Sequence, residues 1–207
     1  MKAELQRIEF LGKEKCTCID MPLTAHFKVH TEQGPILERE GKQVAVVGGV
    51  QTMRRYKVIC TGREVHAGAG PMYNRAEALL AAAKQIAQVN TLAISHGVVA
   101  TVGIVKTATE AGNAIVGSAW FTVDLRGLHG EELDAIKLEL KEGAKTLSSE
   151  GVGFSFEQIW DHPAVRFDKT ALSCLRSVAE EYAGKSMCRE MDSAVGHDRF
   201  PGFSRFT

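Results

Sequence analysis

The sequence has no excess of either charge: its 25 lysine and arginine residues equal its 25 aspartate and glutamate residues, and the formal net charge is zero. Binding to nucleic acid or to an anionic membrane surface requires a basic excess or a basic stripe. Long hydrophobic runs are also missing, since no apolar stretch approaches the roughly 20 residues of a membrane-spanning helix. The balanced charge and the short apolar runs argue against a nucleic-acid partner and against a membrane partner.

Cysteines are few and follow no regular spacing. There are five, an odd number, and the start of the chain does not resemble a signal peptide, so we expect reduced thiols in a cytoplasmic protein. Cys16 and Cys18 are one residue apart, not two as in the usual C-x-x-C pair, which argues against a metal clip there. The composition, 44% hydrophobic and 24% charged, indicates a globular protein of one or two domains.

The middle of the sequence alternates between strand and helix patterns. Tyr56, Val58 and Cys60 alternate in a first strand, and Asn74 with Glu77 has the pattern of a helix cap. The patterns that follow predict strands over residues 98–105, 119–125 and 152–156, and a helix over residues 131–147. The resulting order is that of a ferredoxin-like (βαββαβ) arrangement, an antiparallel four-stranded sheet with two helices on one face.

The segment before this middle part is predicted to contain a helix, a strand and a hairpin. The helix covers residues 3–11, the strand begins at residue 25, and the hairpin joins residues 36–39 to residues 44–47. His30 and Glu32 would point to the same face of the strand because side chains alternate along it. Gly48 and Gly49 follow as a candidate hinge.

The segment after the middle part is predicted to contain one helix and one strand. Asp168 caps the helix, Gly184 ends it, and a strand over residues 187–191 leads into a loop over residues 193–198. The middle part is long enough to have its own core, whereas neither flanking segment can easily form one.

Four stretches of the sequence contain candidate functional residues. They are AHFKVHTEQGPILE from Ala25, VHAGAGPMYNRAEA from Val65, GNAIVGSAWFTVDLR from Gly112 and SAVGHD from Ser193. An imidazole at the end of a strand, beside a carboxylate and before a turn, is placed as metal ligands often are. Taken alone, such a histidine is more often an ordinary surface or hydrogen-bonded residue.

In this order the four stretches resemble the dizinc amidohydrolases that include N-carbamoyl-L-amino-acid hydrolase, beta-ureidopropionase and allantoate amidohydrolase, relatives of metallo-aminoacylases and dipeptidases. The resemblance implies an α/β fold in which a ferredoxin-like dimerisation domain is inserted into a catalytic domain. It implies catalytic-domain fragments at residues 1–53 and 164–207, the second of them truncated, and the dimerisation domain at residues 54–163. It also implies a homodimer.

The resemblance assigns a role to six residues. His30 is similar to a metal ligand of the family, and Gln33 in the same segment is assigned to substrate binding. His66 and Asn113 are similar to residues that reach into the partner subunit's site and hold the scissile carbonyl group. Arg126 and His197 resemble residues that contact the substrate, and Arg126 would grip its carboxylate because a guanidinium forks onto a carboxylate with two hydrogen bonds.

Ordinary structural roles remain open for four of these residues. His66 is alternatively a histidine that stabilises its loop, and Asn113 a turn residue. Arg126 is alternatively the partner of Asp124 in a strand-end salt bridge, and His197 a capped loop residue.

The metal ligands implied by the resemblance are incomplete in this sequence. Two metal ions need about five protein ligands. No His-x-Asp motif precedes His30, and the only histidine before it is His26. The two pairs of adjacent glutamates that follow His30 are typical of solvated helix surfaces. We expect a zinc-dependent, or other divalent metal-dependent, amidohydrolase by family. By the same resemblance we expect the family's activity to be on non-peptide C–N bonds of a small linear amide or ureido substrate, and we expect this chain alone to be inactive. The alternative is a non-catalytic protein that pairs with itself or with a full-length relative.

Overall fold

The computed structural model of the chain describes residues 2–12, 24–148 and 150–192. They form two compact units: residues 2–12 with 24–31, and the described residues from Glu32 to Asp192. In the described part of the chain, no helix combines the length and the apolar character that crossing a membrane requires.

The first unit contains helix α1, Lys2–Arg7, which buries no residue. It confirms the first part of the predicted helix. The predicted strand from residue 25 is wrong, because residues 25–32 adopt neither helix nor strand. A strand needs a neighbouring strand for its backbone hydrogen bonds, and this segment pairs with none among the described residues.

The second unit contains four further helices and eleven strands among its described residues. The helices are α2 (Ile36–Glu40), α3 (Ala78–His96), α4 (Gly130–Ser148) and α5 (Lys169–Ala183). The strands are β1 (Val44–Val47), β2 (Gly49–Val50), β3 (Thr52–Thr61), β4 (Val65–His66), β5 (Val99–Thr101), β6 (Val105–Thr107), β7 (Ala114–Ile115), β8 (Ser118–Gly127), β9 (Gly153–His162), β10 (Val165–Arg166) and β11 (Cys188–Met191).

The largest sheet has the strand order β5-β8-β3-β9, with antiparallel pairing throughout and β6 also paired with β8. The predicted order of strands and helices along the chain is therefore confirmed. The predicted strand over residues 98–105 is observed as β5 and β6, which follow one another along the same edge of β8. Between them the amide of Thr122 donates to the carbonyl of Ile104 (3.0 Å), so the edge continues across the interruption.

The core lies between one face of this sheet and helices α3 and α4. Every second residue of β8 is buried, and Phe121, Val123 and Leu125 have no exposed surface. They share one cluster with the buried faces of both helices, including Leu133 and Ile136 of α4. The opposite face of the sheet carries the alternate residues of β8, which are only half-buried.

The start of α2 is capped by a side chain that the sequence pattern does not reveal. Both carboxylate oxygens of Glu32 accept backbone N–H groups, from Ile36 (2.9 Å) and Leu37 (2.8 Å). A carboxylate at a helix N-terminus satisfies amides that have no partner within the helix. Residues 36–39 are therefore helical, and the predicted first strand of the hairpin is wrong, whereas the second, β1, is confirmed.

Two further helix caps were predicted from the sequence, and one is confirmed while the other is wrong. Asp168 caps α5 as predicted, because its carboxylate accepts the N–H of Ala171 (2.9 Å). Asn74 does not cap α3: it ends a short 3-10 turn, and α3 begins at Ala78 with no side-chain cap. The acid of the predicted cap, Glu77, pairs instead with Arg75 (3.0 Å).

The strands that precede the main sheet in the sequence pair with the strands that follow it. β1 pairs in parallel with β11, and β2 pairs antiparallel with β10, with Val50 opposite Val165. Gly49 lies within β2, so it does not form the predicted hinge. A Cβ atom at Gly49 would lie 2.3 Å from the carbonyl oxygen of Val165, and this close approach explains the glycine.

Candidate functional site

The stretch HAGAG forms a tight turn around the side chain and carbonyl of His66. The amides of Ala69 (3.0 Å) and Gly70 (3.3 Å) donate to the His66 carbonyl, and the amide of Gly68 donates to its Nδ1 (3.1 Å). An imidazole nitrogen that accepts a hydrogen bond carries no proton, so in the neutral ring the proton lies on Nε2. His66 therefore presents an exposed Nε2–H donor.

Asn113 lies beside this turn because strands β4 and β7 pair. His66 is opposite Ala114 in that pair, and the amide of Ala67 donates to the carbonyl of Asn113 (2.8 Å). Both the His66 and the Asn113 residues are exposed. The structure thus brings together two of the predicted substrate-binding residues, which are far apart in the sequence.

A third residue of this region, Arg75, was not predicted from the sequence. Its Nε donates to the carbonyl of Gly70 (2.9 Å), its Nη2 to the carbonyl of Ala67 (2.8 Å), and its Nη1 to Glu77 (3.0 Å). The turn has no large side chain besides His66, so any side chain that donates to its carbonyl groups has to come from outside the turn. That shortage is the signal in the sequence that could have drawn attention to Arg75.

Arg126 lies on the sheet face opposite the helices, near the end of β8. Its Nε donates to Asp124 (2.7 Å), and the same carboxylate accepts Nε (3.0 Å) and Nη2 (2.6 Å) of Arg55 from the neighbouring strand β3. The salt bridge with Asp124 that the sequence left open as an alternative is thus present. Arg55 was not predicted, because finding it requires the register that sets it opposite Asp124.

The carboxyl group of Asp124 is held in its charged form by the two arginines. Burial opposes ionisation, but hydrogen bonds from Arg126 and Arg55 and their positive charges outweigh it and hold the pKa of Asp124 below its ordinary value. A lowered pKa in the folded state adds stability above the unfolded pKa, about 3.9, and this stability is lost as the pH falls through the folded pKa.

We therefore expect Asp124→Asn to lower the free energy of unfolding by about 1–3 kcal/mol at pH 7. The difference from the unsubstituted chain should begin to shrink below about pH 4, where Asp124 is protonated in the unfolded state, and should be lost as the pH falls through the lower pKa of the folded state. Urea unfolding at several pH values measures both quantities. Asp134→Asn is a suitable control, because Asp134 is 62% exposed in its pair with Arg54 and its loss should cost under about 1 kcal/mol. A constant difference between Asp124→Asn and the unsubstituted chain down to pH 3 would contradict this account.

Arg126 and the His66 turn lie at opposite ends of the sheet. Arg126 is opposite Met53 at the start of β3, whereas Thr61 at the end of β3, which leads toward His66, is opposite Ser118. Nine residues of strand, from Ser118 to Arg126, span roughly 27 Å. The structure therefore does not bring Arg126 together with His66 and Asn113 within one chain.

The remaining predicted site residues are His30, Gln33 and His197. His30 lies in the first unit, where its Nδ1 contacts the carbonyl of Thr31 (2.6 Å). Because a carbonyl can only accept, Nδ1 carries the proton, and the ring has the tautomer that metal ligation through Nε2 requires. Gln33 is exposed in the second unit, and His197 lies outside the described residues.

The residues described by the structure do not fit a two-metal centre. Within residues 2–12, 24–148 and 150–192, no group of three or more His, Cys, Asp or Glu side chains is arranged to hold a metal ion.

The sheet, its two helices and the His66 turn define the central part of the chain as a two-layer α/β domain. Residues 49–152 match the peptidase dimerisation domain family, and the chain belongs to that family.

Similar proteins agree with this assignment. The chain is 36% identical over 198 residues to an N-carbamoyl-L-amino-acid amidohydrolase from Rhizobium meliloti, covering 94% of the chain and 47% of that protein. It is 31% identical to allantoate deiminase 1 from Glycine max, covering 84% of the chain and 41% of that protein. A crystal structure of an amidase of the hydantoinase/carbamoylase family from Burkholderia vietnamiensis matches with a TM-score of 0.82 and 34% identity, over 94% of the chain and 47% of that structure. The chain spans about half the length of the relatives it matches. The predicted resemblance and the predicted α/β fold class are confirmed.

Proposed function

We propose that this chain is the pairing and substrate-holding part of a metal-dependent amidohydrolase that acts on a non-peptide C–N bond of a linear amide, such as an N-carbamoyl amino acid. The similar proteins act on N-carbamoyl amino acids or on allantoate according to their names, and they contain the matching domain. The chain alone spans about half of such a protein, so the substrate class is part of the proposal.

The observation that carries the proposal is the His66 turn. Amide hydrolysis passes through a state in which negative charge develops on the carbonyl oxygen, and a preorganised N–H donor stabilises that charge. The Nε2–H of His66 is such a donor, and the bond from the Gly68 amide to Nδ1 holds its ring. Asn113, beside it, carries a side-chain amide that can donate to the same oxygen.

Arg126 supports a carboxylate-bearing substrate. Its guanidinium is aligned by Asp124 on the half-buried face of the sheet, where its side chain is 19% exposed. A positive charge in a partly desolvated position attracts a carboxylate more strongly than an exposed one does. Because Arg55 also contacts Asp124, the three side chains together keep one net positive charge.

The separation of Arg126 from His66 supports a site shared between two copies of the chain. Groups at opposite ends of a sheet whose strand β8 spans roughly 27 Å cannot contact one small molecule, whereas two chains related by a twofold axis can place the His66 turn of one near Arg126 of the other. We propose a homodimer for this reason. The contact surface we favour, called the α3 edge here, comprises the outer side of α3 and strand β5.

The α3 edge has the character of a pairing surface. Leu80 and Ile94 of α3 are 46% and 73% exposed, and Val99 of β5 is 49% exposed. β5 pairs with β8 on one side only among the described residues, so its other side offers backbone groups to a second strand. Exposed apolar side chains beside an open strand edge are typical of interfaces.

The test of the proposed function is ligand binding by the intact chain. We expect N-carbamoyl-L-alanine to bind, and Arg126→Gln to weaken its affinity about tenfold or more, because a charge-assisted pair with the carboxylate is lost. The neutral amide of the same ligand should bind both proteins equally, since it has no carboxylate. Isothermal titration calorimetry or NMR titration measures both affinities.

Arg63→Gln is the matched control for this titration. Arg63 is exposed and donates to the carbonyl of Asn74 (2.7 Å), so its loss should leave both affinities unchanged. Equal weakening of the acid and the amide by Arg126→Gln would show a structural effect and would contradict a carboxylate grip.

The second candidate function is a non-catalytic protein that pairs through the same domain. It is favoured by the family match and by the lack of a metal-holding cluster in the described part of the chain. Elemental analysis of the purified chain, offered zinc and manganese at low micromolar concentration, separates the two candidates. About two metals per chain, with ammonia released from a carbamoyl amino acid, would favour a working hydrolase and contradict the expectation that this chain alone is inactive.

A further inference from the structure

The backbone of the His66 turn has a partner for each amide from Ala67 to Gly70 and for the carbonyl groups of His66, Ala67 and Gly70. The amide of Ala67 donates to Asn113, and the next three amides donate to His66 itself. The carbonyls of Ala67 and Gly70 both accept from Arg75. Among the described residues, Arg75 is thus the one side chain outside the turn that forms hydrogen bonds with the turn's backbone.

The bond to Ala67 has a particular geometric consequence. The carbonyl of Ala67 and the amide of Gly68 belong to the same peptide group, which is planar and rigid. Arg75 holds the oxygen of this group (2.8 Å), and the N–H on its other side donates to Nδ1 of His66 (3.1 Å). Fixing the oxygen therefore fixes the direction of the N–H that selects the tautomer of the His66 ring.

A guanidinium is better suited than any other side chain to hold two carbonyl groups of the turn at once. Nε and Nη2 lie along one edge of the planar group, and here they reach two carbonyls of the same turn at once. Nη1 meets Glu77, which directly precedes α3, so the guanidinium is anchored to the start of a helix that packs in the core. Hydrogen bonds that are linked in series, as from Glu77 through Arg75 to the turn, polarise one another.

We propose that Arg75 is a positioning residue that sets the tautomer and orientation of the His66 imidazole through the Ala67–Gly68 peptide group. The inference rests on the proposed function for its purpose, since a fixed Nε2–H is useful only if His66 contacts a substrate oxygen. Arg75 itself contacts neither the substrate nor the reacting atoms.

The test is ¹⁵N NMR of the His66 ring in the full chain without ligand, at about pH 8.5, above the ordinary imidazole titration. In the unsubstituted chain we expect the Nε2–H form to dominate. In Arg75→Ala the ring should show a mixture of tautomers, and the amide of Gly68 should exchange with solvent about tenfold faster. Arg75→Lys should retain part of the preference for the Nε2–H form, because an ammonium can reach one carbonyl but lacks the planar fork.

Arg63→Lys is the control, because Arg63 donates to Asn74 and not to the turn, and it should leave the His66 signals unchanged. If Arg75→Ala fails to fold, as judged by its thermal unfolding, the comparison of Arg75→Lys with Arg63→Lys decides the question. Unchanged His66 tautomers in a folded Arg75 variant would overturn the proposal. Because this measurement uses no substrate, its failure is distinct from a failure of carbamoyl amino acid binding.

Discussion

Gly62→Ala is expected to lower the free energy of unfolding by about 3 kcal/mol or more, or to prevent folding. A Cβ atom at position 62 would lie 2.0 Å from the carbonyl oxygen of Ala76 and 2.9 Å from its carbon. That oxygen accepts the amide of Arg63 (2.9 Å), and the amide of Gly62 donates to Gly117 (2.7 Å). Backbone would have to move against backbone at the point where β3, the His66 turn and the start of α3 meet.

Gly103→Ala is the matched control for this substitution. No atom lies within 4 Å of a Cβ at position 103, and its backbone is not left-handed. Alanine there should change the stability by under about 1 kcal/mol, with a slight gain possible because the unfolded chain loses freedom. Thermal and urea unfolding compare the two variants. A melting temperature for Gly62→Ala within about 2 °C of the unsubstituted chain would be incompatible with the overlap described.

Ile94→Glu is expected to convert the proposed dimer into a monomer. Ile94 is the most exposed of the apolar residues of the α3 edge, at 73%. A carboxylate enclosed there by a second chain would lose its hydration without a positive partner, which is costly. We expect the dissociation constant of the dimer to rise at least about 100-fold, equivalent to about 2.7 kcal/mol. Sedimentation velocity over a range of concentrations measures it.

Leu138→Glu is the control for charge on the protein surface. Leu138 is 61% exposed on α4, which packs toward β8 and β9, away from the β5 edge. That variant should remain dimeric. If Ile94→Glu stays dimeric while the unsubstituted chain is a dimer, pairing uses another surface.

The fold of the central part could be predicted because its signals are local. Buried and half-buried residues alternate along β8, and the buried residues of α4 recur at helical spacing. The spacing of apolar residues within each element therefore identifies it as a strand or a helix. The wrong predictions of secondary structure lie where a contact with a distant or unusual partner determines the local conformation. Residues 36–39 contain apolar residues in a short run, and the carboxylate of Glu32 selects a helix there.

The candidate site was predictable only in part for a related reason. The short motifs identify His66 and Asn113, and the pairing of β4 with β7 brings them together. Arg55 lies outside the four stretches, and Arg75 lies inside the stretch VHAGAGPMYNRAEA but received no role from the resemblance. The first depends on the register between β3 and β8, and the second on the path of a turn. The sequence also does not show that His66 and Arg126 lie at opposite ends of the sheet, whereas the register of β3 and β8 shows it.

The pairing of β1 with β11 has a consequence for the order in which the chain folds. These strands join Val44 to Cys188, and in an unfolded chain the closure of such a long loop carries an entropic cost and slows folding. Once the central sheet has formed, β2 and β10 hold Val50 beside Val165, and only short segments remain to be closed. The central domain thus serves as a template on which the two flanking strands, synthesised far apart in time, find each other.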